Sequence, residues 1–387
     1  MAEPRDYGFG DDEKMLRDQA RRFLDEHGSV EKLRTLVARD HAIYEKGETP
    51  EWDRSAWSKI VELGFAALAV PEECGGAGAK TVAVAAVVEE IGAHAFPSPL
   101  VATLFATYAL RGASTESADA WLGKIAEGST AALAITDRHA SWDLSRTDVE
   151  ARSEGDGLVL EGVAAYVQDA AKADFFVVSV RHQGSIALVA VPKDAKGVSV
   201  TRDRIVDLTR DQGRVRFDRV FVPASDVVAP APKGLAALHE ALPAILVLVA
   251  ADLAGTCEWQ LRTTAEYARV REQFGKPIGS FQAVKHPIVN MMVGIDMVRS
   301  LVYDAACACD HTPQRALVAA RMAKAKASDV AQFCSGRSVQ LHGGIGFTWE
   351  CDVHLFFKRN QHNQFLFGDG AHHRTKLAEV LVGPLGG

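Results

Sequence analysis

A chain of 387 residues is too long for one ordinary hydrophobic core and predicts two or three subdomains. Its 48% hydrophobic and 24% charged residues are typical of a globular protein and argue against a disordered one. A formal net charge of −7 argues against a nucleic-acid partner, because such proteins usually present a basic face.

The cysteines and the apolar runs bear on metal binding and location. Of the six cysteines only Cys307 and Cys309 are close in sequence, and no second pair accompanies them, so we expect reduced thiols and no metal site. The chain opens without an apolar signal region. Its longest apolar run, residues 242–251, is shorter than the roughly 20 residues that span a membrane. We expect a cytoplasmic protein with no membrane partner.

Residues 1–128 are predicted to form an N-terminal helical domain. Met15, Phe23 and Leu24 recur at helical spacing, and a loop rich in glycine, residues 67–78, separates two of the helices. The predicted helices span residues 11–27, 57–63, 81–91, 100–111 and 118–127.

Residues 129–232 change to an alternating, β-branched pattern that predicts a middle β domain. Turn sequences at residues 155–157 and 182–184 separate short strands, and this spacing indicates a small antiparallel barrel or sandwich. Pro223, Pro230 and Pro232 mark its end. The predicted strands span residues 158–163, 175–180, 185–191, 198–200 and 214–222.

Residues 233–387 return to a helical pattern. Three of the segments are long and rich in alanine, as in an antiparallel bundle of the four-helix type. The fold class is therefore α+β and multidomain. The predicted helices span residues 235–270, 283–310, 313–341, 351–359 and 372–381.

Two segments of this last region have the composition of a ligand site. Residues 340–348 read Gln-Leu-His-Gly-Gly-Ile-Gly-Phe-Thr, and glycines without Cβ atoms let backbone N–H groups approach a phosphate. Residues 271–282 read Arg-Glu-Gln-Phe-Gly-Lys-Pro-Ile-Gly-Ser-Phe-Gln. The alternative interpretation is structural: Arg271 pairs with a carboxylate, and the glycines form a corner between two helices.

With these segments the chain resembles the acyl-CoA dehydrogenase family over essentially its whole length. Residues 70–78 with 89–92, and residues 217–224, also match family segments. The resemblance implies FAD-dependent oxidation of an acyl-CoA thioester to the trans-2-enoyl-CoA. A carboxylate removes the α proton, and a hydride leaves the β carbon for the flavin. The electrons then pass to an electron-transfer flavoprotein or a similar acceptor.

The resemblance also implies which residues contact FAD. Arg271 would pair with the pyrophosphate, whereas Gln340, Gly343 and Gly344 would offer amide and backbone donors across a subunit interface. Tyr166 would stack on the flavin ring. The implied cofactor contacts are Arg271, Gln273, Phe274, Gln282, Gln340, Gly343, Gly344, Thr136 and Tyr166.

The chain departs from the family where the flavin and the acyl group meet. The family's Thr-Glu-Pro-Gly-Ala-Gly-Ser-Asp loop is replaced by Ala-Ile-Thr-Asp-Arg-His-Ala-Ser-Trp at residues 134–142, which keeps only Thr136. Phe367 stands where most members have the catalytic glutamate. Ile245 stands at the alternative base position, and Leu246 where a substrate-contacting arginine is common. None of these three replacements can accept a proton.

Other titratable groups lie nearby in sequence. Asp369 follows the glutamate position by two residues, and Glu240 precedes the alternative position by five. His372 and His373 titrate near neutrality in general, but as exposed neighbours on a terminal helix they are interpreted as having no role.

Three hypotheses remain open on the sequence alone. The first is a base-lacking dehydrogenase subunit that works with a homologous partner, as in the α2β2 members of the family. The second is a self-dimer or tetramer that uses Asp369 as a relocated base. The third is a pseudo-enzyme that binds FAD or a protein without turnover.

Overall fold

The computed structural model describes residue 4, residues 6–37 and residues 52–383. The first residues, which bear on the expected absence of a signal region, lie mostly outside that part of the chain. Every helix predicted in the first third is found, and one more, α2, follows α1 after a single turn. Asp53 and Thr115 cap two of these helices by accepting backbone N–H bonds. The N-terminal helices are α1 (Asp11–His27), α2 (Val30–Val37), α3 (Arg54–Glu62), α4 (Thr81–Ala93), α5 (Leu100–Ala113) and α6 (Glu116–Ala126).

The middle region is a seven-stranded sheet in the order β1-β4-β2-β3-β7-β6, with β5 paired to β4. The predicted purely antiparallel pairing is wrong, because β1 runs parallel to β4, with Ala131 opposite Phe175. Both strands are buried on both faces, which is typical of parallel strands. The strands are β1 (Ala131–Ala134), β2 (Val149–Glu154), β3 (Gly157–Gln168), β4 (Phe175–His182), β5 (Ser185–Pro192), β6 (Val198–Arg202) and β7 (Gln212–Pro223).

The C-terminal region is a helical bundle, as predicted. Its longest helix, α7, is the one described helix long and apolar enough to cross a membrane by length and composition, and most of that stretch is buried. It packs against α4, α5 and three other bundle helices, so it is the core helix of the protein. The bundle helices are α7 (Lys233–Val270), α8 (Gln282–His311), α9 (Pro313–His342), α10 (Val353–Phe365) and α11 (Gly370–Leu381).

Glycines let α4 and α7 pack in direct backbone contact. A Cβ atom at Gly92 would lie 2.2 Å from the carbonyl oxygen of Asp252, and one at Gly255 would lie 1.9 Å from that of Glu89. Because both oxygens belong to backbone, neither could move aside. The motif at residues 89–92 therefore joins the N-terminal helices to the bundle. The domain boundaries after residues 128 and 232 stay predictions.

Candidate functional site

The first predicted cofactor segment is an exposed hairpin after α7. Its short strands, β8 (Glu272–Gln273) and β9 (Lys276–Pro277), are joined by Phe274 and Gly275, both with positive φ. Phe274 is 91% exposed, a position that gives an aromatic ring nothing to pack against except the edge of Phe281. The side chains of Arg271, Gln273 and Gln282 are also exposed.

The second predicted segment is equally open. α9 ends at His342, and a 3₁₀ turn, Gly343–Phe347, follows. A Cβ atom at Gly343 or Gly344 would meet no atom of the described residues within 4 Å, so packing inside this chain does not require glycine at either position. Gln340 is exposed beside them. The Gly343 N–H donates to the carbonyl oxygen of Gln340, so what the turn offers is free space in which a ligand can approach the backbone closely.

Contacts between α7 and α9 bring the two segments together. The ring of Tyr267, one turn before Arg271, stacks on His342 with 4.4 Å between centroids. Nearby, the Thr264 and Ser338 hydroxyl oxygens are 2.7 Å apart. Within the described part of the chain, the exposed guanidinium of Arg271 forms no ion pair. This favours the ligand interpretation of Arg271 over the structural alternative.

A cavity of about 720 Å³ lies between the middle sheet and the last two helices. Tyr166 lines it in a positive-φ conformation, as the resemblance implies for a ring that faces a flavin. Thr136 is buried instead, and its carbonyl oxygen accepts the N–H of Ala165 at 2.9 Å. It therefore supports the strand next to Tyr166. Lining residues include Trp142, Tyr166, Gln168, His362, Phe365 and Asp369.

A polar group on the cavity wall escaped the sequence analysis. The Gln168 amide donates to Gln212 at 2.9 Å, and its oxygen lies 2.8 Å from Nε2 of His362. Burial lowers the pKa of His362 to about 4, so the ring is neutral at pH 7 and donates through Nε2. Gln168 and Gln212 face each other across β3 and β7. Gln168 is the last residue of β3 and Gln212 the first of β7. The residues between them carry no local pattern that would predict this pairing.

The catalytic position of the family is closed. Phe367 is 7% exposed, and its ring centroid lies 5.2 Å from that of Phe105 and 5.0 Å from that of Trp142. Ile245 and Leu246 are buried in the core on α7. Phe367 and Ile245, which the resemblance puts at the family's two base positions, are therefore both packed hydrocarbon side chains.

The nearby carboxylates are placed differently from each other. Asp369 lines the cavity, and its Oδ1 accepts the His372 N–H at 2.8 Å as the N-cap of α11. Glu240 is exposed on α7 and is not among the residues that line the cavity, so the structure gives its candidacy as a base no support.

The prediction that both terminal histidines are exposed is also wrong. His373 is buried, because α11 packs on α9, and that burial lowers its pKa to about 3. His372 is half-buried and lines the cavity, and burial again lowers its pKa.

A buried ionic cluster joins three parts of the chain. Asp252 of α7 accepts from Arg359 at 2.9 Å and 2.7 Å and from Arg210 at 2.5 Å. Burial acts to raise the pKa of Asp252, but the two guanidinium groups hold it below its usual value. The cluster therefore fixes α10 and the loop before β7 against the core helix. Its sequence signal is one aspartate directly after the apolar run at residues 242–251.

Comparisons with known proteins agree over the whole described fold. Sequence models of the acyl-CoA dehydrogenase N-terminal, middle and C-terminal domains match residues 10–129, 132–220 and 233–382. Acyl-CoA dehydrogenase IpdE2 of Mycobacterium tuberculosis is 32% identical over 350 residues, which cover 90% of this chain and 91% of IpdE2. Acyl-CoA dehydrogenase FadE34 of the same organism is 32% identical over 342 residues, 88% of this chain and 44% of FadE34.

Solved structures give the same result. One described as a Tcur3481-Tcur3483 steroid ACAD variant has a TM-score of 0.85 and 27% identity, covering 97% of this chain and 98% of that one. The matches to all three domain models and to relatives over most of the chain identify its family. It belongs to the acyl-CoA dehydrogenase family of oxidoreductases.

Proposed function

We propose that this chain is the base-lacking subunit of a hetero-oligomeric, FAD-dependent acyl-CoA dehydrogenase. A homologous partner subunit supplies the carboxylate that removes the α proton of the acyl-CoA. The observation that carries the proposal is Phe367, which stands at the family's base position and is buried against Phe105 and Trp142.

The chemistry requires a proton acceptor at that position. The α C–H bond of a thioester is a weak acid, and its proton must pass to a group with a free lone pair. The benzyl side chain of Phe367 and the sec-butyl side chain of Ile245 have none. We infer that dehydrogenation to the trans-2-enoyl-CoA takes place at the partner's acyl site.

The retained segments fit FAD. The exposed guanidinium of Arg271 matches a pyrophosphate in charge and in hydrogen-bond donors, and the open space at Gly343 and Gly344 lets a ligand come close to the backbone. Gln273, Phe274, Gln282 and Gln340 are exposed beside them. When bound, FAD accepts the hydride of the dehydrogenation. Its electrons then pass to an electron-transfer flavoprotein or a similar acceptor.

An apolar surface on α8 supports assembly with another subunit. Large apolar side chains recur at helical spacing there and are about half exposed, which is unusual for a face that meets only water. The relative described under two protein names, Tcur3481-Tcur3483, supports a pair of different subunits, and its description as a steroid ACAD supports a bulky acyl group. The α8 residues are Val289, Met292, Val293 and Met297.

Co-expression with candidate partner subunits tests the proposal. We expect stoichiometric FAD and substrate bleaching only in a complex with a homologous subunit, as read by native mass and visible absorbance. A chain that purifies alone with stoichiometric FAD and bleaches with an acyl-CoA contradicts the proposal. A chain that never binds FAD, either alone or co-expressed with every candidate partner, leaves only the pseudo-enzyme.

The relocated base is the second candidate, and one observation favours it. Asp369 lines the cavity, so its free carboxylate oxygen is near the space that a flavin would enter. Substitution by asparagine separates the two candidates, because asparagine keeps the helix cap but cannot take a proton.

A further inference from the structure

A buried lysine holds the segment that carries Phe367. Lys324 lies on α9 with its side chain 0% exposed. Its Nζ donates to the carbonyl oxygens of Gln364 at 2.8 Å and Gly368 at 2.7 Å, and to the Ser328 hydroxyl at 2.9 Å. An ammonium group has three N–H donors, so all of them are used.

The segment itself is folded in an unfavourable backbone conformation. Phe367 and Gly368 have φ values of +58° and +101°. A phenylalanine rarely adopts the left-handed region, and such a conformation persists only when surrounding contacts hold it. The Leu366 and Gly368 N–H groups bond to Asn363 and Phe365 at 3.2 Å and 3.0 Å, but these bonds lie within the segment. Lys324 is the contact that ties both of its ends to another helix.

The position of this segment decides which side chains face the cavity. Phe365, Leu366 and Gly368 line the cavity, whereas Phe367 packs on Phe105 and Trp142. We propose that Lys324 is the positioning residue that fixes the segment from Gln364 to Gly368 and so keeps Phe367 at the base position. The inference concerns the ring on which the proposed function rests, but its test needs neither partner nor flavin.

The groups around Lys324 give the test a pH signature. Asp369 of α11 is its nearby carboxylate, and His372, His373 and Arg321 are the other titratable or charged groups near it. Burial lowers the pKa of Lys324 to about 7, against the opposing effect of Asp369. A neutral amine keeps two N–H donors for the two carbonyl oxygens and can accept from the Ser328 hydroxyl, but its bonds to the segment lose the strength that a charged donor gives them. The segment therefore loosens as pH rises through neutrality.

Hydrogen exchange of the peptide that contains residues 364–370 reads this directly in the full-length chain. After correction for intrinsic exchange rates, we expect protection to fall about tenfold between pH 6 and pH 8, the effect of exchanging a charged donor for a neutral one. Lys324→Met should be unprotected at both pH values. Lys324→Arg should recover part of the protection without the midpoint near neutrality, because arginine stays charged.

Lys326→Met, two residues along the same helix, is the matched control and should behave as the unmodified chain. If Lys324→Met does not fold, Ser328→Ala replaces it: losing one acceptor should move the midpoint to lower pH. Wild-type protection in Lys324→Met, or an unchanged midpoint in Ser328→Ala, overturns the inference. Neither result bears on the co-expression experiment, so the two proposals fail separately.

Discussion

Two phenylalanines with nearly the same positive φ lie in opposite environments. Phe274 has a φ of +56° and is 91% exposed, and Phe367 has a φ of +58° and is 7% exposed. Each sits in a segment that the family uses at its active site. The outward one is available to something outside this chain, whereas the inward one has become part of the core.

The two phenylalanines show that two parts of the candidate site differ in how they pack. At the hairpin and the glycine turn, side chains and backbone amides stay open although nothing in the chain packs on them. At the proposed base position, the hydrocarbon side chain of Phe367 is packed on aromatic rings. We expect this combination, open cofactor segments and a packed base position, in a subunit that contributes to a shared flavin site but not to proton removal.

The largest expected effect tests the ionic cluster beneath the closed region. Asp252→Ala leaves Arg359 and Arg210 buried without their carboxylate, which should lower the free energy of unfolding by about 3–5 kcal/mol. Urea denaturation measures it. The control is Asp329→Ala, which breaks the exposed pair with Arg374 and should cost about 0–1 kcal/mol. Equal effects would show that the cluster is not what holds this region.

The two phenylalanines give the most direct test of the comparison. Phe367→Ala should lower the free energy of unfolding by about 3 kcal/mol through lost aromatic packing. Phe274→Ala, at a matched φ, should change it by less than about 0.5 kcal/mol. A large loss at Phe274 in the isolated chain would mean that the hairpin is a structural element and not a contact segment.

Acid should destabilise the chain through three buried histidines on α10 and α11. Burial lowers the pKa of His354 and of His362 to about 4 and that of His373 to about 3, and all three lie on α10 or α11. Below the ordinary histidine pKa near 6.5, these histidines are protonated in the unfolded chain, whereas in the native chain they stay neutral until the pH nears their lowered pKa. Stability is therefore full above about pH 6.5 and falls by about 1.4 kcal/mol per pH unit for each histidine as pH drops towards the native values.

Urea midpoints at several pH values between 7.5 and 5 measure this slope. His373→Gln should make it shallower by the share of one histidine. An unchanged slope would mean that His373 is not kept neutral by its burial.

The smallest effect on stability is expected at the glycine turn, residues 343–347. Gly344→Ala should change the free energy of unfolding by less than about 0.5 kcal/mol, since the new methyl group meets open space. It should nevertheless reduce the FAD content of the assembled complex. Gly336→Ala, on the exposed face of α9 with equally open space, is the control and should keep full flavin content. Equal flavin content in both variants would remove Gly344 from the cofactor site.

Local patterns predicted much of the helical fold but not the pairing of the sheet. Helix α4 was expected at residues 81–91 and spans Thr81–Ala93, because its apolar residues leave little ambiguity. Helix α10 was expected to end at residue 359 and continues to Phe365. Its polar end is held by bonds from Asn360 to Gln260 and from Asn363 to Asp252, both 2.8 Å long. Such distant partners override local propensity, as they do for the parallel pairing of β1 with β4.

The same limit applies to the site. Arg271 and the glycine turn are contiguous motifs, so the sequence predicted where they are and that they are open. Lys324 and the Gln168–His362 pair depend on residues far apart in the chain, which only the fold brings together. The proposed loss of the base rests on one sequence position, Phe367, so the sequence alone is enough to predict it. The sequence does not predict that Phe367 is packed on aromatic rings or that Lys324 holds its segment, because both depend on distant contacts.

Flavin reduction in the complete complex tests the central claim most directly. The assembly carrying Asp369→Asn and the unmodified assembly are mixed anaerobically with an acyl-CoA, and the rate of bleaching is followed by stopped flow. If the partner supplies the base, the two rates should agree within about twofold. A fall of about 10²–10⁴-fold, the usual contribution of a general base, would place the base on this chain and contradict the account.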